Sequence, residues 1–348
     1  MLLDTRLPHA IAEAADVLAR GELLGLPTET VYGLAADAGQ DGAVRQIFAA
    51  KGRPADHPLI VHVCSRAEVA EFARDVPPFA QRLMDAFWPG PLTLILPRRT
   101  DRAAVAAGGQ DSVGLRCPAH PAAQAVLHAA RARGVWGVAA PSANLFGRVS
   151  PTTAAHVQAE FPDLCVLDGG ACEVGIESVI VDCTRGAPVV LRPGMLTFAQ
   201  LSAACAQPVT VEATPANAQA ETSRAADGAA APKASGTLAS HYAPRAQVRL
   251  MDRAALQAAL ANRASAAPGA GVPSQVACWS RWQPAAWPAD MRHQAMPAQA
   301  SACAHALFAT LRDFDALGVD EIWVEAPPAE PDWAGVSDRL RRAATPTR

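Results

Sequence analysis

A chain of 348 residues, half of them hydrophobic and 18% charged, has room for two domains with separate cores and the composition of an ordinary soluble globular protein. Its formal net charge of −3 excludes a global field that attracts a nucleic-acid backbone; an anionic ligand must be met by a local basic pocket, which suits small anions best. No apolar run approaches membrane-spanning length, and the eight cysteines show neither a CxxC pair nor zinc-ligand spacing, so reduced thiols in a cytoplasmic protein are expected.

The opening stretch MLLDTRLPHAIAEAADVLARGE reads as an amphipathic helix with interspersed charges, not as a signal peptide. A short apolar strand is expected over 23–26, broken at Pro27, with Thr28 and Thr30 flanking Glu29 just beyond it. The spacing of Val44, Ile47 and Phe48 predicts a helix over 41–50, ending in Lys51-Gly52-Arg53-Pro54. Gly52 closes that helix and Pro54 forbids its restart, so both cations project from a rigid turn. On spacing alone, the commoner meaning of such an ending is a solvated terminus whose cations complement the helix dipole.

A strand over 59–63 carries His62, two short helices follow at 67–74 and 78–87, and Trp88-Pro89-Gly90-Pro91 turns the chain into a strand over 92–96. The strand over 113–117 places Arg116 in an apolar run. A buried arginine needs an anionic partner. An internal salt bridge and a ligand carboxylate or phosphate held by its fork are both open. A helix over 122–132 leads to a strand over 137–140 that ends in Pro141-Ser142-Ala143-Asn144. Open α/β sheets place ligands beyond such strand ends, although Ser and Asn also serve as plain helix caps. Ser150-Pro151-Thr152-Thr153 looks like the cap of a helix running to Glu160, whose N-terminal amides are suited to phosphate. Strands over 165–167 and 178–182 follow, the second entered through Gly175-Ile176-Glu177-Ser178. Val189-Val190-Leu191 then ends in Arg192-Pro193-Gly194. Many short strands between helices, with polar groups at the strand ends, argue for a twisted mixed sheet around one open cavity.

From about 206 to 235 the chain is rich in Ala, Thr, Ser and Pro without apolar periodicity and reads as a linker. Gly236 to Pro244, GTLASHYAP, is dense in polar and aromatic groups and so reads as a functional loop. Residues 246–348 alternate strands (248–251, 275–279, 321–325) with helices (254–261, 298–317, 334–343), forming a second, smaller unit. That unit has no glycine-rich phosphate loop, no metal spacing and no nucleophile–base pair, and Trp279, Trp282, Trp287, Trp323 and Trp333 read as packing residues.

Three separated blocks, PTETVYGL, KGRP and HPLIVHV, resemble in order the start of the YrdC family, the threonylcarbamoyl-adenylate synthases. WPGPLTLIL, SVGLRCPAHP, GVAAPSAN, SPT, DGG, GIESVIVD and LRPG agree with the same family, and SHYAP with the β/α tail resembles its longer, two-domain members. The resemblance covers nearly the whole chain apart from the linker. It implies an α/β fold: a twisted mixed open sheet (YrdC-like) with a second, smaller Rossmann-like α/β domain. The catalytic domain would span 1–204, a linker reaching over the active site 205–245, and the C-terminal domain 246–348. The implied activity is that of a nucleotidyltransferase joining L-threonine, bicarbonate or CO2, and ATP into threonylcarbamoyl-AMP with release of pyrophosphate. Its product would pass to a tRNA threonylcarbamoyl transferase complex, for modification of the adenosine following the anticodon.

The resemblance also implies roles by position. Lys51 and Arg53 are the catalytic pair; Thr30, His62, Arg116, Ala140 and Ser178 surround threonine. Lys51, Arg53, His57, Ser112, Ser142, Asn144, Ser150, Arg192 and the backbone of Ala239 surround ATP, with His241 and Tyr242 near the nucleotide. Mg2+ is expected with ATP and without an assigned protein ligand; weak direct tRNA contact and a monomeric state are further expectations. The competing readings are a carbamoyl transferase on the same fold, a non-catalytic tRNA or double-stranded-RNA module, and a nucleotide sensor. Net charge counts against the RNA module.

Overall fold

The computed structural model describes residues 1–212, 231–265 and 275–346. Much of the expected linker, 213–230, therefore lies outside the described residues. The chain begins with β1 (Leu2–Asp4) and α1 (Ala10–Ala19), then β2 (Leu24–Leu26), β3 (Gly33–Asp37), α2 (Asp41–Lys51) and β4 (Ile60–His62). A short helical turn enters α3 (Val69–Phe72), followed by α4 (Pro78–Phe87), β5 (Leu92–Pro97), β6 (Ser112–Arg116), α5 (Pro121–Arg131) and β7 (Val138–Ala139). Next come α6 (Ala154–Glu160), β8 (Cys165–Asp168), β9 (Val179–Asp182), β10 (Val189–Arg192), α7 (Phe198–Cys205) and β11 (Thr210–Val211).

Among the described residues these strands form one eleven-stranded mixed sheet, in the order β1-β8-β2-β3-β7-β4-β6-β5-β9-β10-β11. Parallel pairs such as β4 with β6 are mixed with antiparallel ones such as β5 with β6. The parallel pairing of β4 and β6 sets His62 directly opposite Arg116, so two strand ends deliver two polar side chains to one place. Leu34, Val61, Leu94, Leu115 and Val181 form the sheet's share of a continuous core against α2 and α4. On the other side, Leu24 and Leu26 pack with Leu18 of α1 and Val126 of α5.

The expected N-terminal helix is corrected at its start. Leu2–Asp4 is a strand, because it finds the edge of β8 and pairs in register with Val166–Asp168. The helix begins only after Pro8, at Ala10.

The remaining elements are β12 (Gln247–Met251), α8 (Arg253–Ser265), β13 (Val276–Ser280), β14 (Met291–Ala295), α9 (Ala300–Ala316), β15 (Glu321–Glu325) and α10 (Ala334–Ala344). Their four strands form a parallel sheet in the order β12-β15-β13-β14. Trp279, Trp323 and Trp333 are buried there as packing residues, whereas Trp287 is half-buried and stacks on His293 at 3.9 Å.

This second sheet does not stand apart. Val31, Val149 and Ile176 of the first unit share a core with Leu307, Phe308 and Leu311 of α9 and with Val336 and Leu340 of α10. Gly175, at φ +82°, lets the chain lie against α9: a Cβ there would sit 2.5 Å from the carbonyl oxygen of Ala304.

Candidate active site

A cleft of about 610 Å3, counting its space open to solvent, lies where the loops after β2, α2 and β7 meet the ends of β4, β6 and β10. Among the residues expected from sequence, Thr30, Lys51, Arg53, His62, Arg116, Ala140, Ser142, Asn144, Ser178 and Arg192 all line it. His241 and Tyr242 also line it, carried across by the segment that precedes β12.

Lys51 ends α2 and Gly52 caps that helix in the left-handed conformation, φ +61°, as the sequence predicts. The turn is not solvated. Lys51 is 3% exposed and Arg53 8%, and Arg192 at the end of β10 is 3% exposed. Lys51 donates to the carbonyl oxygens of Ser142 (2.6 Å) and Asn144. Arg53 donates to Pro58 O at 3.0 Å and to the Ser235 hydroxyl at 3.4 Å. Arg192 donates to Ser178 O at 2.9 Å and to Ser235 O at 3.0 Å. Every hydrogen bond made by these three cations among the described residues goes to a carbonyl or hydroxyl oxygen, none to a carboxylate.

Their charge is therefore concentrated and, among the described residues, not paired directly with a carboxylate. Burial, then the neighbouring Arg53, pushes the Lys51 ammonium well below its ordinary range. Burial lowers Arg53 to about 10 and also lowers Arg192. An anion entering here relieves both effects at once.

At the other end of the cleft Arg116 meets Glu29 in an ion pair at 2.6 Å and donates to the Thr30 hydroxyl at 2.8 Å. The ion pair lacks hydrogen-bond geometry, leaving one guanidinium nitrogen and both Glu29 oxygens without a hydrogen bond. The two meanings of a buried arginine thus coexist: it has an internal carboxylate and it faces the cleft. Ser178 shares a hydrogen bond with Thr93 at 2.8 Å. His62 is held neutral, its pKa lowered to about 3 by burial and then by Arg116; His241 is lowered to about 3, chiefly by burial. The Nδ1 atoms of His62 and His241, Asn144 Oδ1 and the Tyr242 hydroxyl are buried without a hydrogen-bond partner among the described residues, so the cleft offers both donors and acceptors to a guest.

Four expected residues stand apart from that lining. Ser112 lines a neighbouring apolar recess with Leu59, Ile60, Ile95 and Ile180; Ile60 and Ser235 belong to both spaces. The His57 ring meets the cleft residue Phe146, with ring centroids 5.5 Å apart, and its carbonyl oxygen accepts from Arg53 at 3.4 Å. The Ser150 hydroxyl is turned to Glu177 at 2.5 Å. Ala239 is exposed; Ser235 and Gly236 from the same segment, not Ala239, line the cleft.

Sequence reading did not single out Phe146, Ser235 or the carboxylate of Glu177 as site groups. A bulky aromatic two residues beyond Asn144 was the available signal for Phe146. Ser235 sits in linker composition and gave none. Among the described residues no group of three or more His, Cys, Asp or Glu is arranged to hold a metal ion.

The family model described as telomere recombination, covering Sua5, YciO and YrdC proteins, matches residues 16–194. The model for the C-terminal domain of threonylcarbamoyl-AMP synthase matches residues 196–345. A threonylcarbamoyl-AMP synthase of Pyrococcus abyssi is 40% identical over 241 residues, covering 69% of this chain and 67% of that protein. One of Bacillus subtilis is 34% identical over 348 residues, covering 98% of this chain and 94% of that protein. The crystal structure of P. abyssi Sua5 complexed with L-threonine superimposes with a TM-score of 0.83 at 33% identity, covering 99% of this chain and 97% of that one.

Proposed function

The chain belongs to the Sua5, YciO and YrdC family in its two-domain form, and on that premise we propose that it is an L-threonylcarbamoyladenylate synthase. As a nucleotidyltransferase it joins L-threonine, bicarbonate or CO2, and ATP, and releases pyrophosphate. The observation that carries this reading is the trio Lys51, Arg53 and Arg192, buried around one cleft and bonded only to carbonyl and hydroxyl oxygens.

The chemistry asks for such a trio. The threonine ammonium loses a proton to solvent, and the free amine either displaces water from bicarbonate or adds to CO2 with release of a second proton, giving a carbamate. A carbamate oxygen attacks the α-phosphorus of ATP, the bond to the β-phosphate oxygen breaks, and pyrophosphate leaves. Both reactants are anions, so a preorganised cluster of cations brings them together and offsets the charge of the transition state. In this reading Lys51, Arg53 and Arg192 clamp the phosphates, while Ser142 and Asn144 orient them; Ser150 acts at one remove, through Glu177. Mg2+ arrives with the triphosphate as part of the substrate. The recess beside Ser112, with Leu59, Ile60 and Ile180, has the apolar walls an adenine ring needs.

Arg116, whose nitrogens face Gly90 O, the Thr30 hydroxyl and Glu29, takes the threonine carboxylate by giving up part of that set, and Thr30, His62, Ser178 and the backbone of Ala140 surround the rest of the amino acid. A neutral His62 accepts or donates a hydrogen bond without adding repulsion to the ammonium of incoming threonine. No enzyme nucleophile is required, since the carbamate itself attacks in line. The product then passes to a transferase complex acting on tRNA, and the synthase works in the cytoplasm as a monomer.

Pyrophosphate release from Mg-ATP tests this, with threonine and bicarbonate each omitted in turn, for wild type and Lys51→Ala. Release that needs both co-substrates and is lost in the variant is the expected result. Release indifferent to threonine, or none from folded protein, overturns the reading.

A further inference from the structure

Glu177 is the one carboxylate among the described residues lining the cleft, and it stands among three cations that have no carboxylate partner of their own. Left to itself, a carboxylate in that position pairs with the nearest cation and cancels part of the clamp. The fold prevents this with a residue from the second domain. Arg339 of α10, fully buried, donates from Nε to Glu177 Oε2 at 2.8 Å and from Nη2 to the Glu177 carbonyl oxygen at 3.1 Å. Its remaining nitrogen donates to Pro193 O at 2.8 Å, beside Arg192, and to Asp338 Oδ2 at 2.7 Å. The other carboxylate oxygen of Glu177 accepts the Ser150 hydroxyl at 2.5 Å, so both oxygens are occupied and neither is bonded to Lys51, Arg53 or Arg192. Arg312 of α9 secures the far side of this arrangement, donating to Ser150 O at 3.3 Å and to Glu160 Oε1 at 2.9 Å.

We propose that Arg339 is a positioning residue for nucleotide binding: it holds Glu177 against Ser150 and away from Lys51 and Arg192, so that the second domain keeps the phosphate clamp charged. This inference rests on the reading of the cleft as an ATP site. It assigns the second domain a measurable part in the chemistry of the first, beyond the apolar contact between them. A purely structural bolt between domains is the competing explanation, and the two differ in what a second substitution does.

Arg339→Gln frees Glu177 to pair with Arg192 or Lys51. ATP affinity, measured by calorimetry without threonine so that no turnover is required, is expected to fall on the order of tenfold, the scale of two unit charges roughly 10 Å apart at an effective dielectric of about 20. Steady-state assays are expected to show the loss in the KM for ATP more than in the KM for threonine. Adding Glu177→Gln removes the stray charge and is expected to restore ATP affinity to within about threefold of wild type. Arg339→Lys is expected to lie between the two. A bolt predicts the opposite, since the double variant loses a second interface group and binds no better than Arg339→Gln. If Arg339→Gln does not fold, Glu177→Gln alone decides: the proposal expects tighter and more salt-sensitive ATP binding, and weaker binding overturns it. Binding that follows this pattern in a protein lacking threonine-dependent pyrophosphate release refutes the synthase reading and leaves the role of Arg339 intact.

Discussion

Arg116→Ala strands a charge. Glu29 is 5% exposed and Arg116 4%, and the two meet at 2.6 Å. Neither oxygen of Glu29 has a hydrogen bond to fall back on. Removing one member of a buried pair costs about 3–5 kcal/mol, most of it the burden of the unpaired partner. With a urea dependence of about 2 kcal/mol per molar, the unfolding midpoint of the first domain falls by roughly 2 M. Glu29→Gln in the same background removes the stranded charge and leaves only an unsatisfied amide, worth about 1–3 kcal/mol. The double variant is therefore more stable than Arg116→Ala, by about 2 kcal/mol on the difference of those two terms. Urea titration followed by tryptophan fluorescence reads this directly. Threonine binding is lost in both variants, because the cation that takes its carboxylate is gone in each. Equal midpoints for the single and double variants refute the argument, since they mean that Glu29 was never dependent on Arg116.

Anion binding raises the depressed pKa of Lys51, so ATP binding takes up protons at pH values between the pKa of the free and the bound state; calorimetry in buffers of different ionisation enthalpy measures this across pH, and Lys51→Met abolishes it. Buffer-independent heats contradict it. His62 and His241 sit near 3 in the fold against an ordinary value of 6.5, so between those limits the unfolded chain binds more protons and stability falls as pH falls. Each contributes a slope of up to about 1.4 kcal/mol per pH unit, and denaturation of His62→Gln across that range shows a shallower acid limb; an unchanged slope contradicts it. Gly175→Ala forces a left-handed residue (about 1–2 kcal/mol) and drives its Cβ into Ala304 and His305 of α9 (about 1–3 kcal/mol). Thermal melts of that variant should show the second domain loosening first, and a wild-type melt sinks the claim.

The cleft was legible in the sequence wherever a local signal set the geometry. Lys51-Gly52-Arg53-Pro54 is such a case: the glycine stop and the proline fix the turn, and the structure has it. What the four residues do not contain is their own burial. The loop at Ser142 and Asn144, 91 and 93 residues further on, closes over Lys51 and makes it a buried cation instead of a solvated one. Glu177 is the same lesson in sharper form, because its partner Arg339 lies 162 residues away in the other domain. Nothing in the sequence marks β3 as a strand, because GLAAD is buried on both faces, without alternation or β-branched residues. β14, with only Met291 buried, follows a proline-rich turn and has little apolar pattern to detect. Ala239 is placed by resemblance; Ser235 and Gly236 before it and His241 and Tyr242 after it line the cleft, while Ala239 between them is exposed.

Direct detection of the product tests the central claim. The protein is incubated with Mg-ATP, L-threonine and 13C-bicarbonate, and the mixture is resolved by mass spectrometry. An adenylate carrying threonine and one labelled carbon, formed with pyrophosphate and missing when Lys51 is replaced by alanine, is the result the account predicts. AMP and pyrophosphate accumulating at the same rate without threonine, or no labelled adenylate from protein that binds ATP, would contradict it.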